Sequence, residues 1–114
     1  MSSMSSADDV QIIFCTVPDP DSGERIASHL VEYRLAACVN LLPEIKSVYR
    51  WKGEVCSDSE SLLMIKARTA DYTDLESAIR RLHPYELPEI IAVPLNNGLA
   101  EYLDWVRSIK NEAQ

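Results

Sequence analysis

His83-Pro84-Tyr85-Glu86-Leu87-Pro88-Glu89-Ile90 gathers an imidazole, a phenol and two carboxylates into eight residues that also hold two prolines. These groups can exchange a proton near neutral pH or ligate a metal ion. Cys15 and Cys38 add thiols, soft ligands that suit copper(I) or zinc. A buried cysteine acts more often as a small inert hydrophobe, and that reading is favoured for each thiol taken alone. His29 sits in a helical stretch and is read as solvent-facing. No His-His or His-x-His pair supports His83, so one chain does not supply a closed tetrahedral site. Glu60, Lys66, Arg68 and Glu89 are charges on or beside strand-like segments, where ion pairing or solvation is the default. From spacing alone, the His83–Ile90 stretch reads first as a stiff connector and second as a site.

The elements that position these groups follow from periodicity. Val10 to Val17 is a strand with apolar residues on both faces. Asp19-Pro20 opens a helix, with Asp19 as N-cap and Pro20 in the first turn. Ile26, Ala27, Leu30 and Val31 give its stripe, which ends near Arg34. Ala37 to Leu42 and Ile45 to Trp51 read as one long strand interrupted at Pro43, which implies an edge or a bulge. Lys52-Gly53 turns a hairpin into a return strand from Glu54 to Arg68. A second helix starts at Asp71 to Thr73, where Thr73 and Glu76 have capping-box spacing, and it stops at His83. Glu89 to Leu95 is a fourth strand, with Pro94 marking an edge, and a last helix carries Leu99, Tyr102, Leu103, Val106 and Ile109.

That order, β-α-β-β-α-β followed by a helix, spells an α+β ferredoxin-like sheet of four antiparallel strands in the order 4-1-3-2. Both crossover helices then cover one face. One short terminal helix leaves much of the other face bare, and a bare apolar face marks an interface. The expectation is a closed symmetric oligomer. Tyr49, Trp51 and Trp105 are placed in its subunit contacts, the default role of large aromatics.

The 114 residues make one domain over 10–114, preceded by a Ser- and Asp-rich stretch over 1–9 read as a disordered tail. A net charge of −7 argues against nucleic acid. No apolar run is long enough to span a membrane. Three cysteines without CxxC spacing and no signal-peptide core point to a reducing, cytoplasmic setting. There is no phosphate-cradling glycine loop, no G-x-S-x-G elbow and no H-E-x-x-H, so residue chemistry favours a binding protein over an enzyme.

Five ordered segments resemble the CutA divalent-cation tolerance family. They are Phe14-Cys15-Thr16, Leu35-Ala36-Ala37-Cys38-Val39-Asn40, Tyr49-Arg50-Trp51-Lys52-Gly53-Glu54, His83 to Ile90, and Tyr102-Leu103-Asp104-Trp105. The resemblance implies a ferredoxin-like subunit in a PII-like homotrimer, with a cytoplasmic role in tolerance of copper and other divalent metals. It implies metal ligation at Cys15 and His83. Leu82 stands where bacterial members carry the first histidine of a pair. Cys38 and Glu60 sit in family motifs near an intersubunit cleft, and in a closed ring Lys66, Tyr85 and Glu89 are expected to line it as well. The alternative is a PII-like regulator whose cleft holds a small anionic metabolite on Lys66 and Arg68.

Overall fold

The computed structural model describes Ala7 and residues 9–111. Strand β1 (Val10–Val17) leads into helix α1 (Pro20–Glu32), and the long strands β2 (Cys38–Trp51) and β3 (Glu54–Arg68) follow as a hairpin. Helix α2 (Tyr72–Leu82), strand β4 (Ile90–Pro94) and helix α3 (Ala100–Arg107) complete the chain, with short 3-10 turns at Thr69–Asp71 and Ser108–Asn111. The sheet order is β2-β3-β1-β4, with every pairing antiparallel, as the element order required.

Local chemistry explains most boundaries. The Asp19 carboxylate accepts from the Ser22 amide at 2.8 Å, and Pro20 begins α1. Lys52 and Gly53 both have positive φ (51° and 82°), so the two-residue turn that joins β2 to β3 matches their twist. Pro43 does not break β2. Pro43 and Glu44 together face Ser61, a two-against-one bulge, and the Ser61 hydroxyl donates to the Pro43 carbonyl at 2.7 Å.

The capping box expected at Thr73 does not form. The 3-10 turn moves the start of α2 back to Tyr72, which puts Thr73 inside the first turn. Glu76 instead accepts from the Tyr72 hydroxyl at 3.0 Å. Asp71, the residue before α2, is held by Arg68 at 2.8 and 3.1 Å rather than capping the helix.

Alternation along the strands splits the sheet into unequal faces. Ile13, Cys15, Val17, Leu63, Ile65 and Ala67 point to one side, where Ile26 and Leu30 of α1 and Leu75, Ala78 and Ile79 of α2 close a fully buried core. Gly23 lets α1 come close, since a Cβ there would lie 2.9 Å from Leu41, 3.1 Å from Val17 and 3.3 Å from Leu63. On the other side, α3 and the 3-10 turn that follows it cover only the Val10 end, through Leu103, Val106 and Ile109. Ala7 is buried in that cluster. Arg107 holds Asp9 at 2.7 and 3.1 Å. Residues 1–6, Asp8 and 112–114 lie outside the described residues.

Beyond the bulge, β2 and β3 continue as a two-stranded arm past the end of β1. Val48 and Val55 are each 67% exposed there, and Trp51 is 51% exposed. The radius of gyration is 15.3 Å, against about 13 Å for a compact domain of this length.

Gly23→Ala tests how tightly α1 is seated. Alanine adds up to ~1 kcal/mol of helix propensity, but the added methyl meets the fully buried Val17 and Leu63 side chains, and overpacking costs about 1–3 kcal/mol. The expected result is a net loss near 1 kcal/mol by urea denaturation. A gain in stability would show slack between α1 and the sheet.

Candidate functional site

A groove of about 700 Å³ opens where β1 ends and the arm departs. Thr16 forms its inner end. Ser47, Val48, Tyr49, Trp51 and Glu60 come from the arm, and Pro84, Tyr85, Glu86, Leu87 and Glu89 from the α2–β4 connection. The prolines explain that second wall. Pro84 disfavours helical geometry at His83, which is extended (φ −76°, ψ 136°), so α2 stops at Leu82 and the chain crosses to β4 in a rigid segment.

His83 fastens this connection to the sheet. It is buried, and its Nε2 lies 2.8 Å from the Thr16 carbonyl oxygen. The Tyr85 amide donates to Nδ1 at 3.0 Å. The arrangement calls for the neutral ring with its proton on Nε2, donating to Thr16. The Tyr85 ring packs 4.9 Å from the imidazole, and its hydroxyl donates to Glu60 at 2.8 Å across the groove. Burial and that contact push the Tyr85 phenol up. On the arm, the Tyr49 hydroxyl donates to Asp58, which raises its value to about 12.

Cys15 lies one residue from this clamp but faces the helices, wholly buried in the main core. Its thiol is pushed up to about 12, chiefly by burial and then by the charges of Glu89 and Glu60. Those two carboxylates therefore converge on one end of the sheet.

The structure thus brings together Cys15, His83, Tyr85, Glu60 and Glu89, with Tyr49 and Trp51 on the outer wall. It does not bring Cys38 or Lys66 of the same chain to the groove. Cys38 lies opposite Lys66 in the register, six residues and about 20 Å of strand from Glu60. Lys66 bonds to Asn40, and Arg68 to Asp71. Trp105 is half-exposed on α3 beside Tyr102, with ring centroids 5.6 Å apart. Leu82 packs against the main core.

The sequence reading assigned Thr16 and Asp58 no role at the site, Thr16 appearing only within the Phe14-Cys15-Thr16 segment. Thr16 contributes a backbone oxygen, which no side-chain pattern signals. Asp58 was findable, because the two-residue turn sets Tyr49 opposite Cys56 and so diagonal to Asp58.

The donors fit a metal only in part. Among the described residues, no group of three or more His, Cys, Asp or Glu side chains is arranged to hold an ion. Both nitrogens of His83 are engaged and the Cys15 thiol is enclosed. The accessible donors are oxygens, from Glu60 and Glu89.

The fold and groove together define a ferredoxin-like α+β domain with an acidic, aromatic cleft and an unpaired sheet face. The model of the CutA1 divalent ion tolerance protein family matches residues 11–109. The chain therefore belongs to the CutA family. It is 47% identical over 97 residues to the divalent-cation tolerance protein CutA of Thermus thermophilus, a match that covers 85% of this chain and 94% of the relative. It is 46% identical to human protein CutA over 88% of this chain, but spans only 56% of that longer relative. The crystal structure of CutA from Xylella fastidiosa superposes with a TM-score of 0.86 at 44% identity, covering 89% of this chain and 97% of the other. Relatives differ in compartment: one in Arabidopsis thaliana is named chloroplastic, and one from Archaeoglobus fulgidus periplasmic. The family name describes tolerance of ions rather than a catalysed reaction.

Cys15 gives this site a pH signature. A thiol whose value rises from 9.0 to about 12 on folding keeps its proton in the native state while the unfolded chain loses it. Its contribution to stability is full below pH 9 and is lost between about 9 and 12, at up to ~1.4 kcal/mol per pH unit. Denaturation at pH 8 and pH 10.5 should show wild type losing more stability than Cys15→Ala. Equal losses would mean that the thiol ionises freely in the folded chain.

Proposed function

We propose that the protein is a homotrimeric, metal-responsive member of the CutA family. It binds copper or another divalent cation at the groove, which becomes a cleft between subunits. The supporting observation is the convergence of Glu60, Glu89, Tyr85 and the His83 clamp on the end of the sheet that carries Cys15. One subunit offers accessible carboxylate oxygens but an incomplete donor set, so a neighbouring chain or water completes the coordination. Copper, with its preference for nitrogen and sulfur, draws His83 away from Thr16 or Tyr85 and reaches Cys15. The bare sheet face and the exposed arm, with Tyr49, Trp51 and Trp105 on or beside them, support assembly. The names of its relatives support the link to divalent ions. Three free thiols favour a reducing compartment such as the cytoplasm.

The alternative, an anionic metabolite held by Lys66 and Arg68, has less behind it. Both cations are engaged with neighbours away from the groove, whose walls, among the described residues, carry Glu60, Glu86 and Glu89 and no basic side chain.

Titration of copper and zinc into wild type, Cys15→Ser, His83→Ala and Glu60→Gln separates the donors. Zinc affinity should fall in Glu60→Gln, and copper affinity about tenfold or more in the other two, in the range seen when metal-site residues are removed. Equal weak binding by all four proteins would exclude the site.

A further inference from the structure

The in-and-out alternation of β2 changes at the bulge. Before it, Val39 and Leu41 pack against the main core, opposite Ile65 and Leu63. A regular ladder would keep every odd residue on that side. Lys46, Val48 and Arg50 would then stand opposite Asp58, Cys56 and Glu54 on the other side. Instead the register passes from Leu42 opposite Leu62 to Ile45 opposite Glu60, and one extra residue changes the side of everything beyond it. Ser47, Tyr49 and Trp51 take the side of Glu60, and the Tyr49 hydroxyl reaches Asp58. Lys46 takes the side of Ser59, to whose hydroxyl its ammonium donates at 3.4 Å.

Two local rules force this change. The core fixes the register of Cys38 to Leu42. The two-residue Lys52-Gly53 turn, with both φ positive, fixes that of Ile45 to Trp51 by setting Trp51 opposite Glu54. The two registers differ by one residue, and the bulge absorbs it. Ser61 pins the bulge: it is fully buried, and its hydroxyl donates to the Pro43 carbonyl at 2.7 Å. Pro43 has no N–H to withdraw from the ladder.

We infer that the Pro43–Glu44 bulge, pinned by Ser61, sets the charge of the groove by choosing which side of the arm faces it. The bulge turns Lys46 and Arg50 away from the carboxylate side and turns Tyr49 and Trp51 towards it. In a regular ladder Lys46 would lie opposite Asp58 and diagonal to Glu60, and would neutralise the groove from within. Pro43, Glu44 and Ser61 are therefore positioning residues. Their effect on cation binding rests on the metal reading above, whereas their effect on the register stands without it.

The test removes the bulge by deleting Glu44. The core register then holds, because shifting it would turn Val39 and Leu41 out of the core and Asn40 into it. The turn yields instead, by becoming a three-residue loop. The free thiol of Cys56 reads the outcome under mild oxidation, since a disulfide needs residues that face each other. With the bulge intact, Tyr49→Cys should close an intrachain disulfide with Cys56, and Val48→Cys should not. In the deletion variant the preference should reverse. A second variant, the same deletion with one glycine added to the turn, relaxes the loop and should show the same reversal. An unchanged preference, or failure of both variants to fold, would overturn the inference.

Zinc titration of the same chains without the added cysteines reads the charge. Affinity should fall about tenfold or more in the deletion variant, because ammonium and guanidinium groups then stand a few ångström from the carboxylates. Adding Lys46→Gln/Arg50→Gln should restore it, and the same pair with the bulge intact should leave it unchanged. A fall that the pair does not restore would overturn the charge assignment. Absence of zinc binding by the wild-type chain would remove the metal reading and the charge assignment together, and the disulfide preference would still decide the register.

Discussion

A four-stranded sheet has two faces, and helices α1 and α2 close only one of them. That inequality governs the rest of the molecule. On the closed side every strand position from Ile13 to Val17 and Leu63 to Ala67 that points inward is fully buried, and Gly23 gives up its side chain so that α1 can seat. On the open side α3 reaches only the end near Val10. The middle of that face is partly exposed, and the arm extends beyond the body with valines and a tryptophan in water. A two-stranded ribbon is marginal by itself, so its length of regular pairing argues for a partner. The groove exists for the same reason: β1 stops at Val17 while β3 runs on, leaving a step that the His83–Ile90 segment turns into a wall.

His83 has a double character in this arrangement. Its two nitrogens use opposite roles, donor to Thr16 and acceptor from Tyr85, to hold the groove wall at a fixed height. An imidazole satisfied on both sides is a structural tie before it is a ligand. With Leu82 packed in the core rather than offering a second histidine, soft-metal binding in this chain requires the tie to open. The carboxylates of Glu60 and Glu89 stand at the groove without being tied to the sheet in this way, and Glu60 accepts from the Tyr85 hydroxyl.

Much of the fold was legible in the sequence because its signals were local. Asp19-Pro20, Lys52-Gly53 and the proline-bounded stretch after α2 each fix a boundary by φ restriction or capping, and the apolar strands identified the central pair. One feature escaped because tertiary contacts outweighed local pattern. Arg68 and Lys110 draw Asp71 into ion pairs, at 2.8 and 3.7 Å, and the 3-10 turn displaces the box expected at Thr73. Pro43 was legible as an edge or a bulge and is both, at a bulge of the edge strand β2 that the Ser61 hydroxyl supports. The site was half legible. The residue types at His83, Tyr85, Glu60 and Glu89 were recognisable, but their convergence depends on a backbone carbonyl at Thr16 and on the arm's register. The separation of Cys38 and Lys66 from the groove follows from strand length, which motifs do not convey.

The uneven sheet makes self-association the claim on which the cleft, and so the proposed ligand chemistry, rests. Sedimentation velocity of the full chain at low micromolar concentration measures it directly. The expected result is a single species with the mass of three chains, stable to dilution. A species at the 12.8 kDa of one chain would contradict it, and would mean that the open face and the arm are tolerated in water by the subunit alone.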